Sequence, residues 1–292
     1  MQLKSIVVTR PPGQDQELID ELKTSFSNIC LTKGLQLPQV LSLPLLGILP
    51  KTDKQLPKAI TSILQQADFA IFVSPNAIEC VMRLFKIPKN KRINLTSAWQ
   101  EISNRIIPIG VMGQSSAEVL DSYGIGLELH SRLGSLTPIF LPGKLDQWDS
   151  EGLWKEMQKF SVDWTKCRIV IFKGDGGREW LASTLKNAGA HVDAISVYTR
   201  VPLSETSPFW KAVKEIDLSH SLWILTSSEA VRHLGGLSLS KLGKDFGAAT
   251  ALCPHQNIAN AARDIGFGKV LISPPGKDGL VKASCDWFSV FN

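Results

Sequence analysis

The sequence predicts an α/β protein with largely parallel sheets. Short apolar runs of strand length alternate with amphipathic helical patterns along the whole chain, which is typical of parallel strands joined by helical crossovers. The chain has 292 residues, about twice the length of a usual domain, so two domains are expected.

The strands are predicted from apolar runs of strand length that end at turn residues such as Gly, Pro and Ser. The first covers residues 5–9 and precedes a helix with Leu18, Ile19 and Leu22 on one face, a spacing that fits 3.6 residues per turn. Helical patterns follow most of the further strands, which cover residues 69–73, 106–112, 139–141, 168–173, 194–201, 222–226, 248–252 and 270–273.

The composition is that of an ordinary globular protein. Hydrophobic residues make up 43% of the chain and charged residues 20%, which excludes a disordered or fibrous protein. No apolar stretch approaches the roughly 18 residues that a membrane span requires. The apolar run before Thr9 is too short for the core of a signal peptide. We therefore expect a soluble cytoplasmic protein with no membrane partner.

Charge and cysteine content narrow the choice of partners. A formal net charge of +5 permits an anionic ligand, but the sequence has no long basic block or arm, so nucleic acid is not expected as a partner. The five cysteines include no C-x-x-C pair, and the histidines have no metal-ligand spacing. We expect free thiols in a reducing compartment, with neither a metal site nor a disulfide framework.

Three pairs of segments resemble each other in the same order along the chain. In each pair an apolar strand, a turn and a helix follow one another. The pairs are residues 71–77 with 224–230, residues 113–124 with 255–266, and the segments that begin at Arg10 and Lys173. This order favours two domains of similar βα construction over a chance likeness of α/β turns.

A glycine-rich turn from Lys173 to Glu179 follows one of the predicted strands. Glycines let a backbone approach a ligand closely, and the helix that follows offers free N–H groups to an anion. Glu179 stands where a dinucleotide fingerprint requires glycine, and the sequence has no P-loop run, so no nucleotide cofactor is expected. The residues leave an anion-binding turn and an ordinary tight turn equally open.

Hydroxyl side chains follow two of the predicted strands. Ser74, and Thr226 with Ser227, stand where a helix N-cap is expected, and Thr226 with Glu229 fits a capping box. Capping alone explains each of them, but both groups lie at the carboxyl ends of strands, where open α/β sheets bind ligands. His255 stands at a further strand-to-helix turn.

Tyr198 is the tyrosine with a candidate chemical role. Strict alternation along its strand places Ser196, Tyr198 and Arg200 on one polar face. A phenol beside a cation can donate a proton or form a hydrogen bond across a domain junction. The residues alone leave both possibilities open.

The ordered series of motifs resembles the uroporphyrinogen-III synthase family over nearly the whole chain. The most specific part is the turn from Lys173 to Glu179, followed by Val197-Tyr198-Thr199-Arg200. The other matching motifs are Val8-Thr9-Arg10-Pro11, Pro44-Leu45, Phe72-Val73-Ser74-Pro75-Asn76-Ala77, Gly113 with Ser116-Ala117, Ser150-Glu151-Gly152-Leu153, Thr226-Ser227-Ser228-Glu229-Ala230, and His255 with Ile258-Ala259.

The resemblance implies two α/β domains with flavodoxin-like parallel sheets, joined by a two-stranded antiparallel hinge. The first domain would be discontinuous and contain residues 1–38 and 203–292, and the second would span residues 43–198. The hinge strands would be about residues 38–44 and 197–202, and such a hinge suggests open and closed states.

The resemblance also implies an activity, the cyclisation of linear hydroxymethylbilane to uroporphyrinogen III. This cofactor-independent lyase reaction expels the terminal hydroxyl and reverses the last pyrrole ring, by way of an azafulvene and a spiro intermediate. Tyr198 matches the family tyrosine proposed to protonate the leaving hydroxyl, and a phenol is protonated at neutral pH. Helix N-termini, turn amides and a few cations would hold the substrate carboxylates. The implied substrate-binding residues are Arg10, Ser74, Ser116, Lys173, Gly174, Gly177, Arg178, Arg200, Thr226, Ser227 and His255.

The alternative function is a non-catalytic two-domain protein that binds an anionic ligand. It would use the same hinge and helix termini without turning its ligand over. The fold tolerates a monomer, and a monomer is what we expect.

Overall fold

The structure is a computed structural model that describes residues 4–89, 98–125, 138–143, 149–159, 162–242 and 245–290. The chain forms two compact units, Met1–Ile48 with Val201–Asn292, and Leu49–Arg200. Among the described residues, no helix combines the length and the apolar character that crossing a bilayer requires.

The secondary structure alternates strands and helices, as predicted. The strands within the described residues are β1 (Ser5–Val8), β2 (Gln39–Ser42), β3 (Leu46–Pro50), β4 (Phe69–Phe72), β5 (Ile109–Val111), β6 (Ile139–Phe140), β7 (Arg168–Gly174), β8 (His191–Pro202), β9 (Ser221–Ile224), β10 (Thr250–Cys253) and β11 (Lys269–Ile272). The helices within them are α1 (Gln16–Lys33), α2 (Leu56–Leu64), α3 (Pro75–Leu84), α4 (Ala98–Ser103), α5 (Gln114–Ser122), α6 (Ser150–Met157), α7 (Trp180–Asn187), α8 (Phe209–Lys214), α9 (Ser228–Leu242), α10 (Gln256–Asp264) and α11 (Lys277–Val290).

Every predicted strand overlaps an observed one, but several limits differ. The strand predicted at residues 106–112 is reduced to β5, because Ile106 is exposed and Pro108 precedes the paired segment. The strand predicted at residues 194–201 begins earlier, at His191. The strand β3 was not predicted, since Gly47 and Pro50 interrupt its apolar pattern.

The first unit contains a parallel sheet in the order β2-β1-β9-β10-β11. All residues of β1, β9 and β10 are buried, as expected for parallel strands covered on both faces. Ile6 and Val8 pack into one apolar cluster with α1 and α11, whereas Val7 packs into another with α9 and α10. The period of two along β1 therefore divides the core of this unit between the two faces of the sheet.

The sheet β3-β8-β7-β4-β5-β6 lies mainly in the second unit, whereas the first residues of β3 and the last residues of β8 belong to the first unit. The pairs from β8 to β6 are parallel. The strands β3 and β8 are antiparallel, since Leu203 N donates to Leu45 O and Lys51 N donates to Val197 O. On one face Phe72 stacks on Phe172 with ring centroids 4.9 Å apart, and Trp99 packs edge-on against both rings.

The two sheets have the same parallel order. Both sheets have the flavodoxin-like strand order, 2-1-3-4-5. In this order the strands of the first sheet are β2-β1-β9-β10-β11, and the corresponding strands of the second are β8-β7-β4-β5-β6. The three pairs of similar segments found in the sequence lie at corresponding strands of the two sheets, so the predicted similarity of construction is confirmed. Because β1 and β2 share a unit with β9–β11, and β7 and β8 with β4–β6, each unit draws on both halves of the chain.

The first predicted hinge strand, at residues 38–44, is wrong. Residues Gln39–Ser42 form β2 and pair in parallel with β1. Val40 packs against one apolar cluster of the first unit and Leu41 against the other. Because apolar side chains cover both faces of this segment, it is held in the first sheet. The strand beside β8 is β3, which lies a few residues later in the chain.

Two buried thiols make stability depend on pH. Burial raises the pKa of Cys80 in the second unit to about 11, and the pKa of Cys253 in the first unit to about 12. A thiol in an unfolded chain has a pKa of about 8.5. Above that pH the unfolded state binds fewer protons than the folded state, so the free energy of unfolding falls as pH rises, by up to about 1.4 kcal/mol per pH unit for each thiol.

We therefore expect the variant Cys80→Ala/Cys253→Ala to lose less stability than the parent between about pH 8.5 and pH 11. Urea unfolding across this range measures the slope for both proteins. The cavities left by the substitutions lower stability equally at every pH and do not alter the slope. Parallel pH profiles would contradict the prediction.

Candidate active site

The carboxyl ends of β4 and β7 form the switch point of the second sheet. From β4 the chain crosses to β5 on one side, whereas from β7 it crosses to β8 on the other. Open α/β sheets bind ligands in the crevice at such a point. Ser74 follows β4 closely and Gly174 ends β7. Two predicted site segments are thus brought to one edge of the sheet.

The Tyr198 hydroxyl lies at this edge, between a serine and an arginine. Its Oη atom is 3.0 Å from Ser74 Oγ, and Arg200 Nη2 donates a hydrogen bond to it over 3.4 Å. The guanidinium carbon of Arg200 lies 5.6 Å from the centroid of the phenol ring, within the range of a cation–π contact. The contact between Tyr198 and Arg200 agrees with their predicted position on one face.

Tyr198 was predicted on a polar face of its strand, and the structure places it in a buried position. Its side chain is 0% exposed. Lys173 lies opposite Ser196 and Gly174 lies opposite Tyr198, so Val197 is an extra residue in β8. This β-bulge interrupts the alternation on which the prediction depended, and the neighbours Val197 and Tyr198 are both buried.

The glycines of the turn have two different roles. A Cβ atom on Gly174 would lie 2.5 Å from Cε2 of Tyr198, so the phenol ring requires glycine there. Gly176 and Gly177 have φ angles of 68° and 91°, in the left-handed region that favours glycine, and no atom lies within 4 Å of an added Cβ. The first glycine makes room for Tyr198 and the other two form the turn.

A cavity of about 300 Å³ lies beside this turn, within the second unit. It contains five of the predicted substrate-binding residues, Lys173, Gly174, Gly177, Arg178 and Arg200. Its other lining residues are Val73, Met112, Asp149, Ser150, Ile171, Gly176, Glu179, Leu181, Ala182 and Ala194. Apolar walls with a few convergent cations are typical of a site for an anionic organic ligand.

Two of the cations at this cavity are paired with carboxylates of the same unit. Lys173 contacts Glu179, and Arg178 contacts Glu151. Arg178 is 57% exposed, and exposed ion pairs of this kind contribute only about 0–1 kcal/mol. A polycarboxylate ligand can therefore displace Glu151 from Arg178 at small cost.

Ser74 is both a helix cap and a member of the site. Its Oγ accepts a hydrogen bond from Ala77 N over 3.2 Å, and Pro75 occupies the first position of α3. Ser116 differs, since it is buried in the first turn of α5 and Gly113 is the N-cap of that helix. Ser116 does not line the cavity, and its role in binding stays a prediction.

The remaining predicted residues lie at the equivalent edge of the first unit. Arg10 follows β1, Thr226 and Ser227 follow β9, and His255 follows β10. His255 is exposed and is the N-cap residue of α10, without a capping hydrogen bond from its side chain. These positions correspond to those of Lys173, Ser74 and Gly113 in the second unit.

The predicted capping box at Thr226 is wrong by one residue. Ser227 Oγ accepts from Ala230 N over 3.3 Å, so Ser227 is the cap of α9. The same spacing holds between Ser74 and Ala77. Because β9 ends at Ile224, the chain leaves the strand before it turns into the helix, and the second hydroxyl rather than the first reaches the helix amide.

Sequence analysis missed the role of Asp175. Its carboxylate accepts hydrogen bonds from Lys51, Ser196 and Thr199. Asp175 lies within the glycine-rich turn, but the pattern of that turn indicated a role for its glycines and not for this aspartate. Lys51 lies 124 residues away along the chain, so no local pattern could have indicated the pair.

The fold and the candidate site together define a class of protein. It has two α/β units with the flavodoxin-like strand order, and in each unit the carboxyl ends of the strands at the switch point can bind a ligand. Comparison with known families then gives a narrower result. The family profile described as "Uroporphyrinogen-III synthase HemD" matches residues 38–282. The chain belongs to the uroporphyrinogen-III synthase family.

Solved structures agree with this assignment at the level of the fold. A mutant uroporphyrinogen III synthase from the bacterium Thermus thermophilus is 12% identical, with a TM-score of 0.56 over 98% of this chain and 99% of that one. A uroporphyrinogen-III synthetase from Helicobacter pylori is also 12% identical, with a TM-score of 0.54 over 98% of this chain and 100% of that one. No curated protein sequence matches the chain. The predicted two-domain α/β fold class is confirmed.

Family membership also confirms the predicted enzyme. The activity of the family is the cyclisation of hydroxymethylbilane in tetrapyrrole biosynthesis, a lyase reaction on a small-molecule substrate.

Proposed function

We propose that this chain cyclises hydroxymethylbilane to uroporphyrinogen III, and that the terminal hydroxyl of the substrate is lost at the edge formed by β4 and β7. The observation that carries the proposal is the contact of the Tyr198 hydroxyl with Ser74 Oγ, 3.0 Å apart, and with Arg200 Nη2, 3.4 Å apart. A phenol held between a hydroxyl and a cation is suited to give up a proton and to be stabilised as a phenolate.

Ser74 connects the buried phenol to a ligand. Tyr198 is fully buried, whereas Ser74 is half-buried at the start of α3. Arg200 donates to the phenol oxygen, and in the proposed step the phenol donates its hydrogen to Ser74 Oγ, 3.0 Å away. As Ser74 takes that proton, its own hydrogen passes to the substrate hydroxyl, which leaves as water. The phenolate recovers a proton from the pyrrole N–H that azafulvene formation releases, so the enzyme returns unchanged.

Binding of the polycarboxylate would position the two ends of the bilane. We assign carboxylate contacts to the cations of the second unit, Lys173, Arg178 and Arg200, which line the cavity. We assign further contacts to the turn amides of Gly174 and Gly177, which line the cavity, and to Ser74 at the N-terminus of α3. In the first unit we assign the same role to Arg10, Thr226, Ser227 and His255, and in the second also to Ser116. Positioning reacting groups lowers the barrier by roughly 7–11 kcal/mol in favourable cases.

We further propose that the chain acts as a cytoplasmic monomer without a nucleic-acid partner. A single chain supplies every residue assigned to the site, so assembly is not needed to complete it. The five cysteines are unpaired thiols, which persist in a reducing compartment such as the cytoplasm.

The purified protein should convert hydroxymethylbilane mainly to the type III isomer. The products are oxidised and the type I and type III porphyrins are separated by chromatography. A reaction without enzyme gives the background of type I product, and heat-inactivated protein should match that background. Binding of the bilane with no type III product above background would contradict the synthase and favour the non-catalytic alternative.

A further inference from the structure

The backbone around Tyr198 is irregular because a β-bulge interrupts the strand there. The bulge at Val197 shifts the register between β7 and β8, so the ladder bonds are interrupted at this point. The ladder resumes at the pair Gly174 and Tyr198, where the carbonyl of Tyr198 accepts a hydrogen bond from Asp175 N over 2.9 Å, and a longer one reaches the same carbonyl from Ser196 Oγ over 3.3 Å. The Asp175 backbone therefore holds the main chain of Tyr198 directly.

The carboxylate of Asp175 holds the residues on both sides of Tyr198. One oxygen accepts from Ser196 Oγ, two residues before the tyrosine, and the other accepts from Thr199 Oγ1 over 2.6 Å, one residue after it. Lys51 Nζ donates to this second oxygen over 2.6 Å. Hydrogen bonds from Lys51, Ser196 and Thr199 hold the pKa of the Asp175 carboxyl below its usual range, so it remains an ionised acceptor at neutral pH.

The hydrogen bonds from Ser196 and Thr199, rather than the ion pair with Lys51, connect the Asp175 carboxylate to the backbone beside Tyr198. The side chains of Lys51 and Asp175 are 38% and 43% exposed, and an ion pair in that setting is screened by water and salt. Lys51 follows β3, and it contacts the bulge through its backbone N–H, which donates to Val197 O and does not depend on the side chain. Loss of Lys51 leaves both hydroxyl bonds in place, whereas loss of the carboxylate removes both.

We propose that Asp175 is a positioning residue, which fixes the bulge in β8 so that the Tyr198 hydroxyl is directed at Ser74. This inference rests on the proposed role of Tyr198 and extends it to a residue that does not touch the substrate. The ring of Tyr198 lies against Gly174, the residue before Asp175. One turn thus accommodates the ring and anchors the backbone.

The first test compares variants of the full chain in steady-state cyclisation of hydroxymethylbilane. We expect Asp175→Ala to lower kcat by roughly 10- to 100-fold, because small displacements of a reacting group have effects of this order. KM should change by less than about twofold, since the cations of the cavity are untouched. Asp175→Asn should recover part of the loss, because its carbonyl oxygen still accepts one hydroxyl bond.

Two control variants separate positioning from general loss of a surface aspartate. Lys51→Met removes the ion pair and should keep kcat within about twofold of the parent. Asp163→Ala removes an aspartate of the same unit that also accepts from a neighbouring threonine and a lysine, Thr165 and Lys166. It has no contact with Tyr198 among the hydrogen bonds of the described residues, and it should keep the parent rate.

The decisive test is a double-mutant cycle with Tyr198→Phe. If Asp175 acts through the Tyr198 hydroxyl, Asp175→Ala should change kcat by less than about twofold when that hydroxyl is absent. An equal fold-loss in both backgrounds, or a parent kcat for Asp175→Ala, would overturn the inference. If Asp175→Ala does not fold, the same cycle with Asp175→Asn decides it.

The outcomes also distinguish this inference from the function on which it depends. A protein without type III product contradicts the proposed function. A Tyr198→Phe variant with the full rate contradicts the role of Tyr198, and the positioning role of Asp175 with it. A slow Tyr198→Phe variant beside a fully active Asp175→Ala variant contradicts the positioning role alone.

Discussion

Replacing Tyr198 with phenylalanine should lower kcat for type III product by roughly 10²- to 10⁴-fold, the range in which a positioned general acid contributes. The change removes the hydroxyl that lies 3.0 Å from Ser74 Oγ and 3.4 Å from Arg200 Nη2. The phenyl ring keeps its place against Gly174, so the fold is retained. Loss of these two hydrogen bonds should lower the free energy of unfolding by about 1–3 kcal/mol.

Tyr123 provides a matched control for this experiment. It is also buried and also bonded through its hydroxyl, to Glu79 Oε2 over 2.7 Å, in the same unit. Tyr123→Phe should have a similar effect on stability and leave kcat within about twofold of the parent. Stopped-flow or quenched assays of bilane consumption, with urea unfolding alongside, measure both quantities. Equal loss of rate in the two variants would exclude a specific role for Tyr198.

The substitution Gly174→Ala should impair both stability and catalysis. Its Cβ would lie 2.5 Å from Cε2 and 2.7 Å from Cζ of a fully buried phenol ring, so the ring or the strand must move. Overpacking of this kind costs about 1–3 kcal/mol. A shift of the ring by about 1 Å away from Ser74 should reduce kcat by about 100-fold.

The same substitution at an open glycine controls for the change of residue. Gly236 is exposed in α9, with no atom within 4 Å of an added Cβ, and alanine there should be neutral or stabilising by up to about 1 kcal/mol. When the ring is absent, as in Tyr198→Ala, the substitution Gly174→Ala should lower the free energy of unfolding much less than it does in the parent. Thermal unfolding of the parent, the three single variants and the double variant tests this. An unchanged cost without the ring would contradict the assigned contact.

Local sequence features predicted the elements of the site. Ser74 and Ser227 each precede an alanine by three residues, and both cap a helix as the hydroxyl pattern indicated, although the cap near Thr226 is one residue later than expected. The glycine turn after β7 was predicted from its composition and lines the cavity. Strand and helix periodicities depend on neighbours a few residues apart, which is why they could be read from the chain.

Contacts between distant segments decided the rest. The bulge at Val197 appears only when β7 and β8 pair, and Val197 and Tyr198 are both buried there. Asp175 meets Lys51 across 124 residues. The predicted hinge strand joined the first sheet as β2 because Val40 and Leu41 found apolar partners on its two faces.

The amino-acid sequence by itself determined the α/β class, the repeated βα construction and the chemical groups available at the strand ends. Each of these follows from residue type and short-range periodicity. Only the tertiary structure decided which of those groups meet, because the register of β7 on β8 and the crossing at the switch point bring together Ser74, Tyr198 and Arg200. The distances from the Tyr198 hydroxyl to Ser74 and Arg200 are set by strand pairing, to which residues far apart in the chain contribute.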